Sequence, residues 1–118
     1  MFGIIPRPLH AVLDYLWSMA LFSAPELVGF ADDDAARTVC KARAGGTTAM
    51  SLLTRYELGL IKVIPFNVHL LLDLLGGLMG LAAPWLFGYA KNEKARNTAL
   101  TFSLLELSVV ALTRREGQ

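Results

Sequence analysis

The chain has 118 residues, 54% of them apolar and 18% charged, with a net charge of +1 and a mean hydropathy of +0.47. Those values suit one domain and exclude a reader of the nucleic-acid backbone: its 11 basic residues are scattered, with no stripe, against 10 acidic ones. The single cysteine, Cys40, excludes an intrachain disulfide and a cysteine-based zinc site.

The elements follow in chain order. Pro6 and Pro8 precede a first helix expected over 9–24, and Pro8 suits a first helical position. Pro25 and Gly29 punctuate its end. The apolar run up to Ser23-Ala24-Pro25 has the look of a leader peptide. Arg7 is the only charge before it, however, and the same segment recurs in mid-chain, so it reads as a retained helix. Asp32, Asp33 and Asp34 form a loop and capping segment before a second helix over 36–55. A linker over 56–64 leads to a third helix, with Asn67 as its expected N-cap and Ala83 near its end, before Pro84 and Gly88. The polar turn at 91–94 introduces a fourth helix over 95–113.

Laid over itself at an offset of 59, the chain gives 17 identical pairs, against roughly 5 or 6 by chance in so apolar a composition. Ile5-Pro6 matches Ile64-Pro65, His10 matches His69, and Asp14 matches Asp73. Ala24-Pro25-x-Leu27-x-Gly29 matches Ala83-Pro84-x-Leu86-x-Gly88, and Leu53-Thr54-Arg55 matches Leu112-Thr113-Arg114. The single domain 1–118 therefore divides into unit one, 1–59, and unit two, 60–118, each a helical hairpin. Two helices return the chain to its starting side, so the units are parallel and related by a pseudo-twofold axis. The termini and the 56–64 linker fall at one end, the two interhelical loops at the other.

A bilayer span needs about 20 mainly apolar residues. Residues 74–90 carry no charge, and 99–112 carry only Glu106. Helices three and four lack the polar face of a soluble helix. The expected fold class is all-α, with four transmembrane helices formed by two tandem hairpins. Five basic residues at the terminal end (Arg7, Arg55, Lys62, Arg114, Arg115) face six at the other (Arg37, Lys41, Arg43, Lys91, Lys94, Arg96), which gives no orientation bias.

His10 and Asp14 are four apart, on one helix face, and His69 and Asp73 repeat the arrangement. Ionisable groups inside a bilayer mark proton or ion paths by default. Two such pairs around one axis would give a proton relay or a two-histidine, two-carboxylate metal site. The simpler expectation is structural: each aspartate accepts from its own histidine or ties to the linker, and no metal or other cofactor is expected. Glu106, in mid-helix four, is expected either to pair with Lys41 or Arg43 or to face a lumen. Trp17 is expected against Gly76 and Gly80, with Gly77, Gly45 and Gly46 as further packing or self-association faces. Trp85, Phe87 and Tyr89 read as an interface belt, and the Arg55-x-Glu57 and Arg114-x-Glu116 steps as interfacial anchors.

The segments Ser23-Ala24-Pro25-Glu26 and Ala82-Ala83-Pro84-Trp85, with Gly29 and Gly88 after them, resemble the signature of the SPW-repeat family of small bacterial membrane proteins. There a Ser-Pro-Trp step ends the first helix of each unit. Glu26 replaces the tryptophan in the first copy and Ala83 the serine in the second. The linker Tyr56-Glu57-Leu58-Gly59-Leu60 and the His-x-x-x-Asp step add to the likeness. The resemblance spans the chain and implies an integral protein of the bacterial cytoplasmic membrane built from two hairpins. It implies no activity.

No nucleophile elbow, phosphate loop or zinc-hydrolase spacing occurs. The function expected is a non-enzymatic helical-bundle module of the bilayer that associates with itself or with another membrane protein. The alternative is a small proton or cation transporter or channel that uses the duplicated His-x-x-x-Asp pairs.

Overall fold

The computed structural model describes residues 3–54 and 56–114, which form four helices and no extended strand. α1 (Arg7–Ala24) continues into a π-helical turn (Pro25–Gly29), and α2 (Asp34–Leu52), α3 (Phe66–Leu86) and α4 (Glu93–Leu112) follow. Arg55 and Glu116, expected as interfacial anchors, and Arg115, counted among the basic residues of the terminal end, lie outside the described residues.

Capping chemistry sets the helix starts. Asp33 accepts from the backbone N–H of Ala36 at 3.1 Å, and Asn92 accepts from that of Ala95 at 3.3 Å, each satisfying one of the amides a helix start leaves open. Asn67 does not cap α3. Pro65 holds the cap position with extended backbone, and Asn67 falls inside the first turn.

Neither proline of the repeated motif stops its helix. The path runs through Pro25 as a π-helical turn, and α3 runs through Pro84 to Leu86. The stop comes at the glycines, with φ of +101° at Gly29 and +78° at Gly88, a region that side-chain-bearing residues rarely adopt. The next amides, of Phe30 and Tyr89, then reach back to the carbonyls of Pro25 and Pro84 at 2.9 and 2.8 Å. That is the six-to-one closure of a Schellman end, so proline and glycine are the two ends of one stop signal.

α1 packs chiefly on α2 and α3 on α4; α2–α3 and α1–α4 contacts join the two hairpins. At one end Ile5 bridges Thr113 and Thr54 bridges Ile64, so the terminal segments and the linker lie side by side. At the other end the two caps meet, with Asn92 Nδ2 donating to Asp33 Oδ2 at 2.9 Å. Both ends have the layout that parallel hairpins require.

The interior divides into an apolar cluster around Leu21, Phe30, Cys40 and Tyr89, and a second around Tyr56, Phe66 and Leu70. Fully or nearly buried with them are His10, Asp14, His69, Asp73, Ser103 and Glu106, while Leu16, Met19 and Phe22 of α1 and Leu71, Leu75 and Leu78 of α3 are exposed. For these residues the usual distribution, with charged groups facing out and large apolar ones facing in, is reversed. Among the described residues one helix, α3, is long and apolar enough to cross a membrane.

Two expectations change, for Trp17 and for Tyr89. Gly76 and Gly80 do not receive Trp17: a Cβ at either would meet Arg43, with Glu106 at the first and Ser103 at the second. Trp17 instead sets its ring edge-to-face with Phe102, centroids 5.8 Å apart, and donates from Nε1 to the Phe102 carbonyl at 2.9 Å. Gly45 and Gly46 touch no other element, since a Cβ there meets nothing within 4 Å. Gly77 lies against the Leu107 side chain, which a Cβ there would meet. Trp85 and Phe87 are exposed, but Tyr89 is buried in the core and cannot belong to a surface belt.

Candidate functional site

α1 and α3 start alike, each with a histidine one turn inside and an aspartate one turn further. Because i and i+4 share a face, each helix aims an imidazole and a carboxylate at the bundle axis, where the two helices meet. His10 Nε2 lies 3.2 Å from Asp14 Oδ1 and 3.1 Å from Asp73 Oδ2. His69 Nε2 lies 2.9 Å from Asp14 Oδ2 and 3.1 Å from Asp73 Oδ2. Both histidines are wholly buried, and the two aspartates are nearly so. Each aspartate therefore serves its own histidine and, across the pseudo-axis, the other one.

The outer nitrogens are held by two threonines that the residue-type argument did not single out. His10 Nδ1 lies 2.8 Å from Thr113 Oγ1, and His69 Nδ1 lies 2.7 Å from Thr54 Oγ1. Each hydroxyl donates to the carbonyl four residues back, Thr54 to Met50 at 2.7 Å and Thr113 to Val109 at 2.5 Å. A hydroxyl has one proton; with that proton on the carbonyl, its oxygen accepts from the ring Nδ1–H. The Nε2 side of each ring faces the carboxylates.

Thr54 and Thr113 were visible as a matched pair of the repeat. Tyr56 was not, having no counterpart. It donates from its hydroxyl to Asp14 Oδ2 at 3.1 Å. Burial, then the nearby Asp14 charge, pushes its phenol above the ordinary tyrosine range, so it stays a donor. His10, His69, Phe66 and Tyr56 close around the cluster with centroid separations of 5.3–6.1 Å.

Of the five buried side-chain atoms without an aligned hydrogen bond among the described residues, His69 Nε2 and Asp73 Oδ1 belong to this cluster; Ser18 Oγ, Ser51 Oγ and Tyr89 Oη do not. One ligand atom from each of His10, Asp14, His69 and Asp73 can be chosen so that all four lie within 4.8 Å of one another, and this is the set able to hold a metal ion.

One helical turn further, Glu106 meets Arg43 rather than Lys41. Arg43 Nη2 donates to Glu106 Oε1 at 2.5 Å and to the Gly76 carbonyl at 3.1 Å, with its guanidinium carbon 5.1 Å from the Trp17 ring centroid. Lys41 pairs with Glu26 at the surface, at 3.0 Å. Arg43, expected among the basic residues of the loop end, is an interior residue. A cavity of about 20 Å³, bordered by Asp14, Asp73 and Glu106, separates the two polar groups.

No protein-family model matches the chain, and no curated protein or solved structure matches it either.

Proposed function

We propose that this protein is a non-enzymatic module of the lipid bilayer, four transmembrane helices in two parallel hairpins, that assembles with a second copy of itself. Its relation to the SPW-repeat family, its origin by internal duplication and a place in the bacterial cytoplasmic membrane belong to the same proposal. The bilayer part rests on the inverted distribution of side chains. Exposed leucines cover α3, while histidine, aspartate, glutamate and arginine lie inside and pair with one another. Charges inside a bilayer face the bundle interior and pair, and lipid replaces water as the neighbour of the apolar exterior. Each helix, at 18 to 21 residues, is about 27–32 Å long, near the hydrocarbon thickness.

The observation that carries the assembly part is the bare face of α2. Ala42, Gly45, Gly46 and Ala49 are exposed, and nothing in the chain approaches the glycines. Small residues four apart let a second helix backbone come close, which is how helices associate in lipid. Beside them an open groove of about 570 Å³ runs between α1 and α2, bordered by Ser18, Met19, Phe22, Gly45 and Thr48. A twofold pairing would set each copy's α2 against the other's groove. Native mass spectrometry of the chain released from lipid nanodiscs tests this. Dimers are the expected species, and a chain that leaves the bilayer only as a monomer would overturn the assembly.

A second reading, a proton or small-cation path, has one observation in its favour: Asp14, Asp73 and Glu106 share the small cavity, which has room for about one water. Proton flux in proteoliposomes that disappears in an Asp14→Asn/Asp73→Asn double variant would favour it over the module.

A further inference from the structure

We propose that His10, Asp14, His69 and Asp73 form a mononuclear site for a divalent first-row transition metal, of which zinc is the representative, held between the two hairpins. The inference goes beyond the assembly reading and does not depend on it.

Three observations carry it. The first is the spacing of the ligand atoms. A tetrahedral ion with bonds of about 2.0–2.1 Å to nitrogen and oxygen has ligands about 3.3 Å apart. Asp73 Oδ2 lies 3.1 Å from both His10 Nε2 and His69 Nε2, close to that edge, while Asp14 meets the two rings with different oxygens, Oδ1 at 3.2 Å and Oδ2 at 2.9 Å; one ligand atom from each of the four residues fits within 4.8 Å.

The second is the outer hydrogen bonding. Histidine ligands donate their remaining ring N–H to a fixed acceptor, which sets the tautomer and leaves the other nitrogen's lone pair for the metal. Here Thr54 and Thr113 supply that acceptor for His69 and His10, and each is itself fixed to a helix carbonyl. Tyr56 plays the opposite part for Asp14, donating to its Oδ2.

The third is what the protein leaves unsatisfied. His69 Nε2, wholly buried, makes no aligned hydrogen bond although two carboxylate oxygens lie within 3.1 Å of it, and Asp73 Oδ1 is buried without a partner. Buried polar atoms normally find partners. A dication coordinated by two neutral imidazoles and two carboxylates gives His69 Nε2 its partner and balances two negative charges. The donor set, two nitrogens and two carboxylates, suits zinc, iron(II), cobalt(II) or manganese(II), and lacks the sulfur that copper(I) prefers.

The test uses the full-length, untagged chain in detergent, stripped with chelator and then titrated with cobalt(II) as a spectroscopic stand-in. We expect one cobalt per chain, with the intense visible absorption of a tetrahedral centre, displaced by one equivalent of zinc. Thermal unfolding should shift upward with zinc and back down with chelator. The Asp14→Asn and Asp73→Asn variants should lose the cobalt band. Cys40, buried at 3% exposure, should stay protected from thiol reagents in both variants, which separates lost ligation from lost fold. The Thr54→Val variant, which removes an acceptor but no ligand, should keep the band with weaker affinity. Folded wild-type protein that binds no cobalt, gives only the weak spectrum of an octahedral ion, or keeps its band in both asparagine variants would overturn the site. The four residues would then be a proton-sharing structural network.

Discussion

Arg43 and Glu106 meet at 2.5 Å in the space that Gly76 and Gly80 leave open, and their place in the repeat explains the asymmetry between the hairpins. Shifted by 59 residues, the pair formed by Gly76 and Arg43 becomes Phe102 with Trp17. At that second location two aromatic rings pack edge-to-face, and Trp17 Nε1 binds the Phe102 carbonyl. At the first, a guanidinium binds the Gly76 carbonyl. One location is closed by rings, the other by an ion pair in a glycine notch.

Removing half of that ion pair leaves a charge without a partner in the interior, where the two side chains are only 9% and 8% exposed. Arg43→Met and Glu106→Leu should each destabilise the fold by about 3–5 kcal/mol, whereas the double variant should recover most of the loss. Denaturant titration in detergent reads this directly. Two single losses that simply add would contradict the pairing.

The glycines should divide into two classes. A Cβ at Gly80 would fall on Ser103 Oγ and within 2.7 Å of Arg43 Nη1, so Gly80→Ala should cost about 1–3 kcal/mol through overpacking. In the dissociated monomer Gly46→Ala meets open space and should be neutral or stabilising by about 0.5–1 kcal/mol. Equal melting shifts for the two substitutions would contradict the assignment of one to the interior and the other to the surface.

The threonine pair offers a symmetric test. Thr54→Val and Thr113→Val each preserve shape while removing the acceptor of a buried histidine N–H, at a cost of about 1–3 kcal/mol. Because the two sites repeat one another, the losses should agree to within about 0.5 kcal/mol, the usual error of such comparisons. A large loss at one site and none at the other would show that only one imidazole is held in this way.

Tyr56 breaks the symmetry. Its hydroxyl donates to Asp14, and no tyrosine stands at the equivalent position for Asp73. Tyr56→Phe should destabilise by about 1.5–3 kcal/mol, the range for a buried bond to a charged group, with no change in helix content by circular dichroism. A melting temperature equal to wild type would remove Tyr56 from the cluster.

The helices, the hairpin pairing and the common end of termini and linker were legible because they follow from periodicity, capping residues and the 59-residue repeat. So was the shared helix face of each His-x-x-x-Asp step; its inward aim was not, because spacing fixes a common face but not what that face meets. The crossed pairing of His10 with Asp73 and His69 with Asp14 was not legible, because it depends on how deeply α1 and α3 approach at the axis. The same is true of Trp17: its bulk matched the glycines of α3 in pattern, but Arg43 reaches further along that notch and has Glu106 to meet there. Pro84 reads as a helix stop by its chemistry. The closing bond from Tyr89 and the positive φ of Gly88, one turn later, let the helix run through it.

Förster transfer between donor- and acceptor-labelled copies in liposomes reads self-association within the bilayer. Transfer above random proximity is expected in the wild type, falling as lipid dilutes the protein. Its loss is expected in a Gly45→Leu/Gly46→Leu variant that keeps its helix content. Wild-type transfer no greater than random proximity, or full transfer in the leucine variant, would contradict the assembly.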